Sequence, residues 1–118
     1  MKKILVVEDN KDMQEIYRDL LKDKFEVIIT GNTIDAEKEL SRQKIDILIL
    51  DIILPGEAGD TFLARMKQKD EYQNLSVIAI TVLGDLTEHM RQVHQRLICI
   101  PKPFEKEQLI EAIARILE

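Results

Sequence analysis

The sequence predicts an α/β domain built on an open five-stranded parallel sheet with helices on both faces. Five short runs, Ile4 to Val7, Val27 to Ile29, Ile47 to Leu50, Val77 to Ile80 and Leu97 to Ile100, are continuously apolar. Strands covered on both sides read this way, whereas half-solvated strands alternate. Segments with apolar residues at helical spacing lie between and after these runs, so strand and helix alternate five times. The chain has 118 residues, 45% of them hydrophobic, which suits one core and one domain spanning 1–118.

Taken in order, the first run is followed by Met13, Ile16, Tyr17, Leu20 and Leu21, an i, i+3, i+4, i+7 stripe with Asn10 placed to cap it. After the second run the stripe is reduced to Ala36 and Leu40, and the position between two strands carries the helix assignment. Phe62, Leu63 and Met66 follow the third run. Leu86, Met90 and Val93 follow the fourth, where Asp85 and Glu88 make a capping-box pattern. Leu109, Ile110, Ile113 and Leu117 complete the last helix, for which Glu105 is expected to be a weak cap. Pro101 closes the fifth run, which places that strand at a sheet edge or Pro101 outside the ladder. Met13, Met66 and Met90 fall on the apolar stripes, as packing residues do.

Composition removes several functions. With 22 acidic against 17 basic residues and a net charge of -5, a direct nucleic-acid or anionic-membrane partner is disfavoured. The one cysteine, Cys99, cannot form an internal disulfide and reads as a small buried hydrophobe. The apolar run after Met1-Lys2-Lys3 ends at Glu8 and Asp9, too short for a signal peptide, and no run has the roughly 20 apolar residues of a membrane span. A cytoplasmic location is the resulting expectation. His89 and His94 are five apart on one helix and point to different faces, as surface histidines rather than a metal pair.

Ligands of open parallel sheets bind at the carboxyl ends of the strands, so the residues just after each run carry the functional reading. They are Glu8 and Asp9, Asp51, Thr81 and Lys102, while the second run ends in the uncharged Thr30-Gly31-Asn32. Three carboxylates with one lysine leave a pocket near -2 that calls for a cation. Magnesium fits, because it binds through a few carboxylates and bridges to phosphate oxygens. Thr81 and Lys102 would then serve a phosphate, as hydroxyl and compact positive charge, and Asp51 could act as a carboxylate nucleophile towards phosphorus.

Over its whole length the chain resembles the receiver domains of two-component response regulators. Glu8-Asp9 resemble the family's acidic pair, Asp51 its phosphoacceptor, and Asp51 to Gly56 with Gly59 its loop after the acceptor. Thr81 matches the switch hydroxyl, and Lys102-Pro103-Phe104 the signature that holds a cis peptide in the family. The resemblance implies the flavodoxin-like strand order 2-1-3-4-5, which puts the fifth strand at an edge. It also implies phosphoryl transfer to Asp51 from a histidine kinase or phosphotransfer protein, with Mg2+ held by Glu8, Asp9, Asp51 and the backbone carbonyl of Ile53. Lys102 would neutralise developing charge and Thr81 would close on the phosphoryl group. The implied role is signalling through a conformational change. By the same resemblance the chain would assist its own phosphorylation and dephosphorylation only, with a role in signalling rather than metabolic turnover. Ending at Glu118, it is expected to act on a separate effector protein or to be a piece of a longer regulator or hybrid kinase.

Several positions depart from the family's pattern. Cys99 stands where an aromatic switch residue is usual, and Val82 replaces a small residue after Thr81, where its methyl groups would narrow the path to Asp51. Ile53 and Leu83 replace side chains that in some members place an attacking water, so a long-lived acyl phosphate is expected. These departures keep a degenerate receiver acting as an interaction module in view. An aspartate-nucleophile phosphatase of the haloacid-dehalogenase type would need a second Asp where Ile53 stands, and a flavin carrier would not place Glu8-Asp9 against a flavin phosphate.

Overall fold

A computed structural model describes residues 1–82 and 96–118. The segment expected to form the helix with Leu86, Met90 and Val93 lies outside the described residues, as do Leu83, Asp85, Glu88, His89 and His94. The described chain runs β1 (Lys3–Val7), α1 (Lys11–Leu21), β2 (Glu26–Thr30), α2 (Thr33–Arg42), β3 (Ile47–Asp51) and α3 (Gly59–Lys67). A short 3-10 turn at Asp70–Tyr72 leads to β4 (Ser76–Thr81), and β5 (Leu97–Pro101) precedes α4 (Lys106–Ile116). All strand pairs are parallel, in the order β2-β1-β3-β4-β5.

The continuous apolar runs are explained by the two cores they separate. Leu5, Val7, Leu48, Leu50, Val77 and Ala79 face one side and pack with Ala36, Leu40, Phe62, Leu63 and Met66 of α2 and α3. Their neighbours Ile4, Val6, Ile47, Ile49, Ile78 and Ile80 face the other and pack with Tyr17 and Leu21 of α1 and Leu109, Ala112, Ile113 and Ile116 of α4. Every residue of β3 and β4 is buried, while β2 is mostly half-exposed and β5 opens at both ends, as the edge positions require. Pro101 is the last residue of β5 and sits opposite Thr81, so its missing N–H costs no central ladder bond.

The helix starts differ from expectation in two places. Asn10 caps α1 by accepting from the Met13 N–H at 2.9 Å, and Asn32 caps α2 in the same way from Asp35 at 2.8 Å, which strengthens a helix whose apolar stripe is weak. Glu105 was expected to leave α4 poorly capped. Instead the Gln108 side chain reaches back and accepts from the Glu105 N–H at 2.6 Å, because glutamine at N3 supplies the returning arm of a capping box. Ile16, expected on the buried stripe of α1, is 45% exposed and borders a groove, because the stripe is wider than the sheet contact.

Two glycines shape the loop between β3 and α3. Gly56 has φ of +77°, a conformation without steric cost only for glycine. Gly59 donates its N–H to the Ile52 carbonyl at 2.8 Å and packs so closely that a Cβ would be driven into the Asp51 carbonyl oxygen and to 2.7 Å from the Ile52 Cα. Both obstructing groups are backbone next to the site. Gly59→Ala is expected to lower the unfolding free energy by about 1–3 kcal/mol, as overpacked positions do. Urea titration checks this, and an unchanged midpoint at unchanged slope would contradict it.

Candidate functional site

β1 and β3 are adjacent and in register, so the residues that follow Val7 and Leu50 emerge side by side at the carboxyl rim of the sheet. Those residues are Glu8, 1% exposed, and Asp51, 3% exposed, with the exposed Asp9 beside them. One carboxylate oxygen from each of the three lies within 4.8 Å of the others. β5 brings Lys102 to the same rim, where Nζ stands 2.7 Å from Asp51 Oδ2 and 4.0 Å from Glu8 Oε1. Four of the residues picked out at strand ends are thus brought together around one small space.

Backbone geometry orients each group. The Ile53 N–H donates to Asp51 Oδ1 at 3.0 Å, so the chain just past Asp51 folds back over its carboxylate. The Asn10 N–H donates to Glu8 Oε2 at 3.1 Å, and Gln14 Nε2 donates to the Glu8 carbonyl at 2.6 Å. Thr81 ends β4, is 2% exposed, and its carbonyl accepts the Lys102 N–H at 2.9 Å, fixing where the lysine leaves the strand. The Lys102–Pro103 peptide is cis, as the resemblance implied.

The loop leaving Asp51 is pinned at both ends. Ile52 and Leu54 are buried while Ile53 between them is 56% exposed, so its side chain points to solvent. At the outer end the Arg65 guanidinium forks onto Glu57 with two 2.9 Å bonds and meets Glu37 at 2.9 Å, tying this loop to α3 and α2. The Arg65 hydrogen bonds hold both the Glu57 and the Glu37 carboxyls below the usual carboxylate range.

The electrostatics favour a cation. Burial pushes the Glu8 carboxyl up to about 7, and the Asp51 and Asp9 charges add to the rise, while the Asn10 N–H and Lys102 oppose it. Among the described residues, Glu8 Oε1 is the buried side-chain polar atom without a hydrogen-bond partner. A buried carboxylate oxygen that faces two other carboxylates and lacks a donor is what a hard divalent ion would satisfy, so this donor set fits magnesium.

Two expected roles meet their surroundings here. Cys99 is 8% exposed and belongs to the core on the α2 and α3 side, so it packs there as a small hydrophobe. Val82 is 53% exposed and lines a groove of about 460 Å³ with Met13, Ile16, Leu20, Pro103 and Phe104, beside Lys102. Sequence reasoning passed over Gln14 and Tyr17. Gln14 carries no motif signal, and Tyr17 reads as one more apolar position on α1. Its ring is 1% exposed and stacks on Phe104 with centroids 6.1 Å apart. Nothing in the local pattern around either aromatic indicates that contact.

Comparison with known proteins agrees with this geometry. The sequence model of the response regulator receiver domain matches residues 4–114. The polar-differentiation response regulator DivK of Brucella anthropi is 32% identical over 120 residues, covering 98% of this chain and 96% of that protein. The sensor histidine kinase TmoS of Ectopseudomonas mendocina is 23% identical over 116 residues, which are 98% of this chain and 12% of TmoS. The chain spans 24% and 52% of two further curated relatives, so it corresponds to a segment of several longer proteins. Among solved structures, the receiver domain of sensor histidine kinase PA1611 from Pseudomonas aeruginosa PAO1 superposes with a TM-score of 0.85 at 25% identity, over 99% of this chain and 98% of that one. That structure has a magnesium ion coordinated in its active site cleft.

The raised Glu8 carboxyl sets a pH dependence. Its folded value lies above its unfolded one, so without metal its contribution to stability is complete below about 4.5 and is lost as pH climbs to about 7. Glu8→Gln removes that loss, so metal-free Glu8→Gln should gain thermal midpoint over the unsubstituted chain as pH rises from about 5 to about 8. Added magnesium should stabilise the unsubstituted chain more at the upper pH and leave Glu8→Gln nearly unaffected. Thermal melts at both pH values, with and without magnesium, check both statements.

Proposed function

The chain belongs to the response regulator receiver domain family, and on that premise we propose that it is a phosphorylation-controlled switch with Asp51 as phosphoacceptor. The observation that carries the reading is the 2.7 Å contact of Lys102 Nζ with Asp51 Oδ2 inside the buried carboxylate cluster. Asp51 lies at a strand end with its carboxylate held by one backbone N–H and one ammonium, beside the carboxylates of Glu8 and Asp9. The donor is a histidine kinase or phosphotransfer protein. A carboxylate oxygen of Asp51 forms the bond to phosphorus as the bond from phosphorus to the donor's imidazole nitrogen breaks, and the imidazole keeps that electron pair.

Lys102 then has two anionic partners within reach, the phosphoryl oxygens and Glu8, and its ammonium offsets charge that the buried pocket solvates poorly. The Thr81 hydroxyl closes on a phosphoryl oxygen, drawing the end of β4 towards Asp51. Glu8, Asp9, Asp51 and the Ile53 carbonyl are the groups to hold magnesium. When bound there, the ion supplies positive charge to the carboxylates and to the phosphoryl oxygens. The phosphoryl group therefore makes contacts in one arrangement of the Thr81 end of β4 that the other arrangement lacks, and this shifts the population between them.

The output is contact with an effector protein, or with an effector domain in a longer chain. Relatives that include sensor kinases and transcriptional regulators support either arrangement. The net charge of -5 supports a protein partner over nucleic acid or an anionic membrane. Among the described residues no helix is long and apolar enough to cross a membrane.

Incubation with a small-molecule phosphodonor and magnesium should add the mass of one phosphoryl group, and Asp51→Asn should gain none. No gain, or a gain retained in Asp51→Asn, overturns the assignment in favour of a degenerate receiver acting as an interaction module. The exposed, apolar Ile53 side chain offers no hydrogen bond to a hydrolytic water. The acyl phosphate should therefore be long-lived, and Ile53→Asn together with Leu83→Glu should shorten its half-life by roughly tenfold or more, the scale of a positioned proton-transfer partner. Decay of the phosphorylated form in magnesium buffer measures this, and equal half-lives would refute the lifetime argument.

A further inference from the structure

The acidic half of the site and the lysine half belong to different parts of the chain. Glu8 and Asp9 stand between β1 and the start of α1, and Lys102 stands in the loop between β5 and α4. β1 and β5 are separated by β3 and β4, so no strand pairing sets the distance between these halves directly. Lys102 itself reaches across to Glu8 Oε1 at 4.0 Å, and beside it Tyr17 of α1 meets Phe104 of the loop.

Tyr17 is among the largest fully buried side chains of the protein, and its ring stacks on Phe104 at 6.1 Å with 28° between the planes. Phe104 is two residues beyond Lys102, so the stack fixes the loop within one side-chain length of the lysine's backbone. Burial holds the Tyr17 hydroxyl above its ordinary value, and the Glu8 and Asp51 charges raise it further. The groove outside the stack is lined by Met13, Ile16 and Leu20 of α1 against Pro103 and Phe104. It leaves the loop open to solvent on that side, so the Tyr17 ring is the buried support behind Phe104. The backbone bond from Lys102 to the Thr81 carbonyl fixes where the lysine leaves β5. It does not fix where the loop goes afterwards.

We propose that Tyr17 is a positioning residue for Lys102: by stacking on Phe104 it holds the loop after β5 against α1 and so sets the Lys102 ammonium between Asp51 and Glu8. The role needs the ring and not the hydroxyl. It rests on the phosphoacceptor reading only where phosphorylation rate is the measured quantity.

Three variants separate positioning from packing. Tyr17→Phe keeps the ring and should behave as the unsubstituted chain. Tyr17→Leu removes the stack from the helix side, and Phe104→Leu removes it from the loop side should the former fail to fold. The first readout is the rate at which an amine-reactive reagent modifies each lysine, followed by mass spectrometry. Lys102 should react severalfold faster in Tyr17→Leu or Phe104→Leu and at the unsubstituted rate in Tyr17→Phe. Lys67, held on the opposite side of the sheet by the Gln73 and Leu75 carbonyls, should be unchanged in all three.

The second readout is the rate of phosphorylation by a small-molecule donor, which Tyr17→Leu should slow by roughly tenfold or more, as a displaced catalytic group does. Combined with Lys102→Ala, Tyr17→Leu should add almost nothing, because its effect passes through the lysine that is already gone. Unchanged Lys102 reactivity overturns the proposal, as does equal acceleration at Lys67 or the full rate loss persisting in the Lys102→Ala background. If the unsubstituted chain takes no phosphoryl group, the phosphoacceptor reading fails and the lysine reactivities alone decide this one.

Discussion

Glu8 and Asp51 are carried by adjacent parallel strands to the same rim of the sheet, both almost fully buried, with the Lys102 ammonium 2.7 Å from one and 4.0 Å from the other. Like charges held this close with little water between them repel, and the desolvation penalty falls on each. The protein answers with two backbone N–H donors, one lysine and a protonation equilibrium moved towards neutrality at Glu8. Among the described residues, one Glu8 oxygen still lacks a donor. The arrangement therefore favours a further positive charge beside Glu8, and the surrounding chain holds the carboxylates in place.

What keeps it in place is the two-sided burial of the central strands. An Ile or Leu side chain fully withdrawn from water contributes about 1.5–3 kcal/mol, and β1, β3 and β4 place such residues on both faces in succession. A slip in register would exchange the contents of two different cores. The strand ends are thus fixed points, and the loops beyond them inherit that precision through single contacts: Gly59 against the Asp51 backbone, Arg65 on Glu57, Gln14 on the Glu8 carbonyl. Each is a place where the surrounding chain resists displacement of a carboxylate.

The distribution of aromatic residues gives this receiver its particular character. Two tyrosines and three phenylalanines make up the whole set. On β5 the core position facing α2 and α3 holds Cys99, whose small side chain has little bulk to rearrange. The aromatic bulk near the lysine loop lies on the opposite face, where Tyr17 meets Phe104. Any mechanical link between Lys102 and the surface is accordingly better supported on the α1 side of the sheet than along β5.

Much of this was legible in the residues alone. Five continuous apolar runs determined five strands, and the central ones, β1, β3 and β4, are buried because chain covered on both faces can be apolar at every position. The polar residues after those runs located a candidate site, because parallel strands all present their carboxyl ends to one rim, where Glu8, Asp9, Asp51 and Lys102 meet and Thr81 ends β4. Gln108 capping α4 was also written locally and was passed over. What the sequence did not determine was everything that depends on which distant groups touch. That Glu8 is buried and Asp9 exposed, that one Glu8 oxygen has no donor among the described residues, that Gly59 is pressed against the Asp51 backbone, and that Tyr17 finds Phe104 were decided by tertiary packing alone. Periodicity reports which face of an element is covered, and only the folded chain determines what covers it.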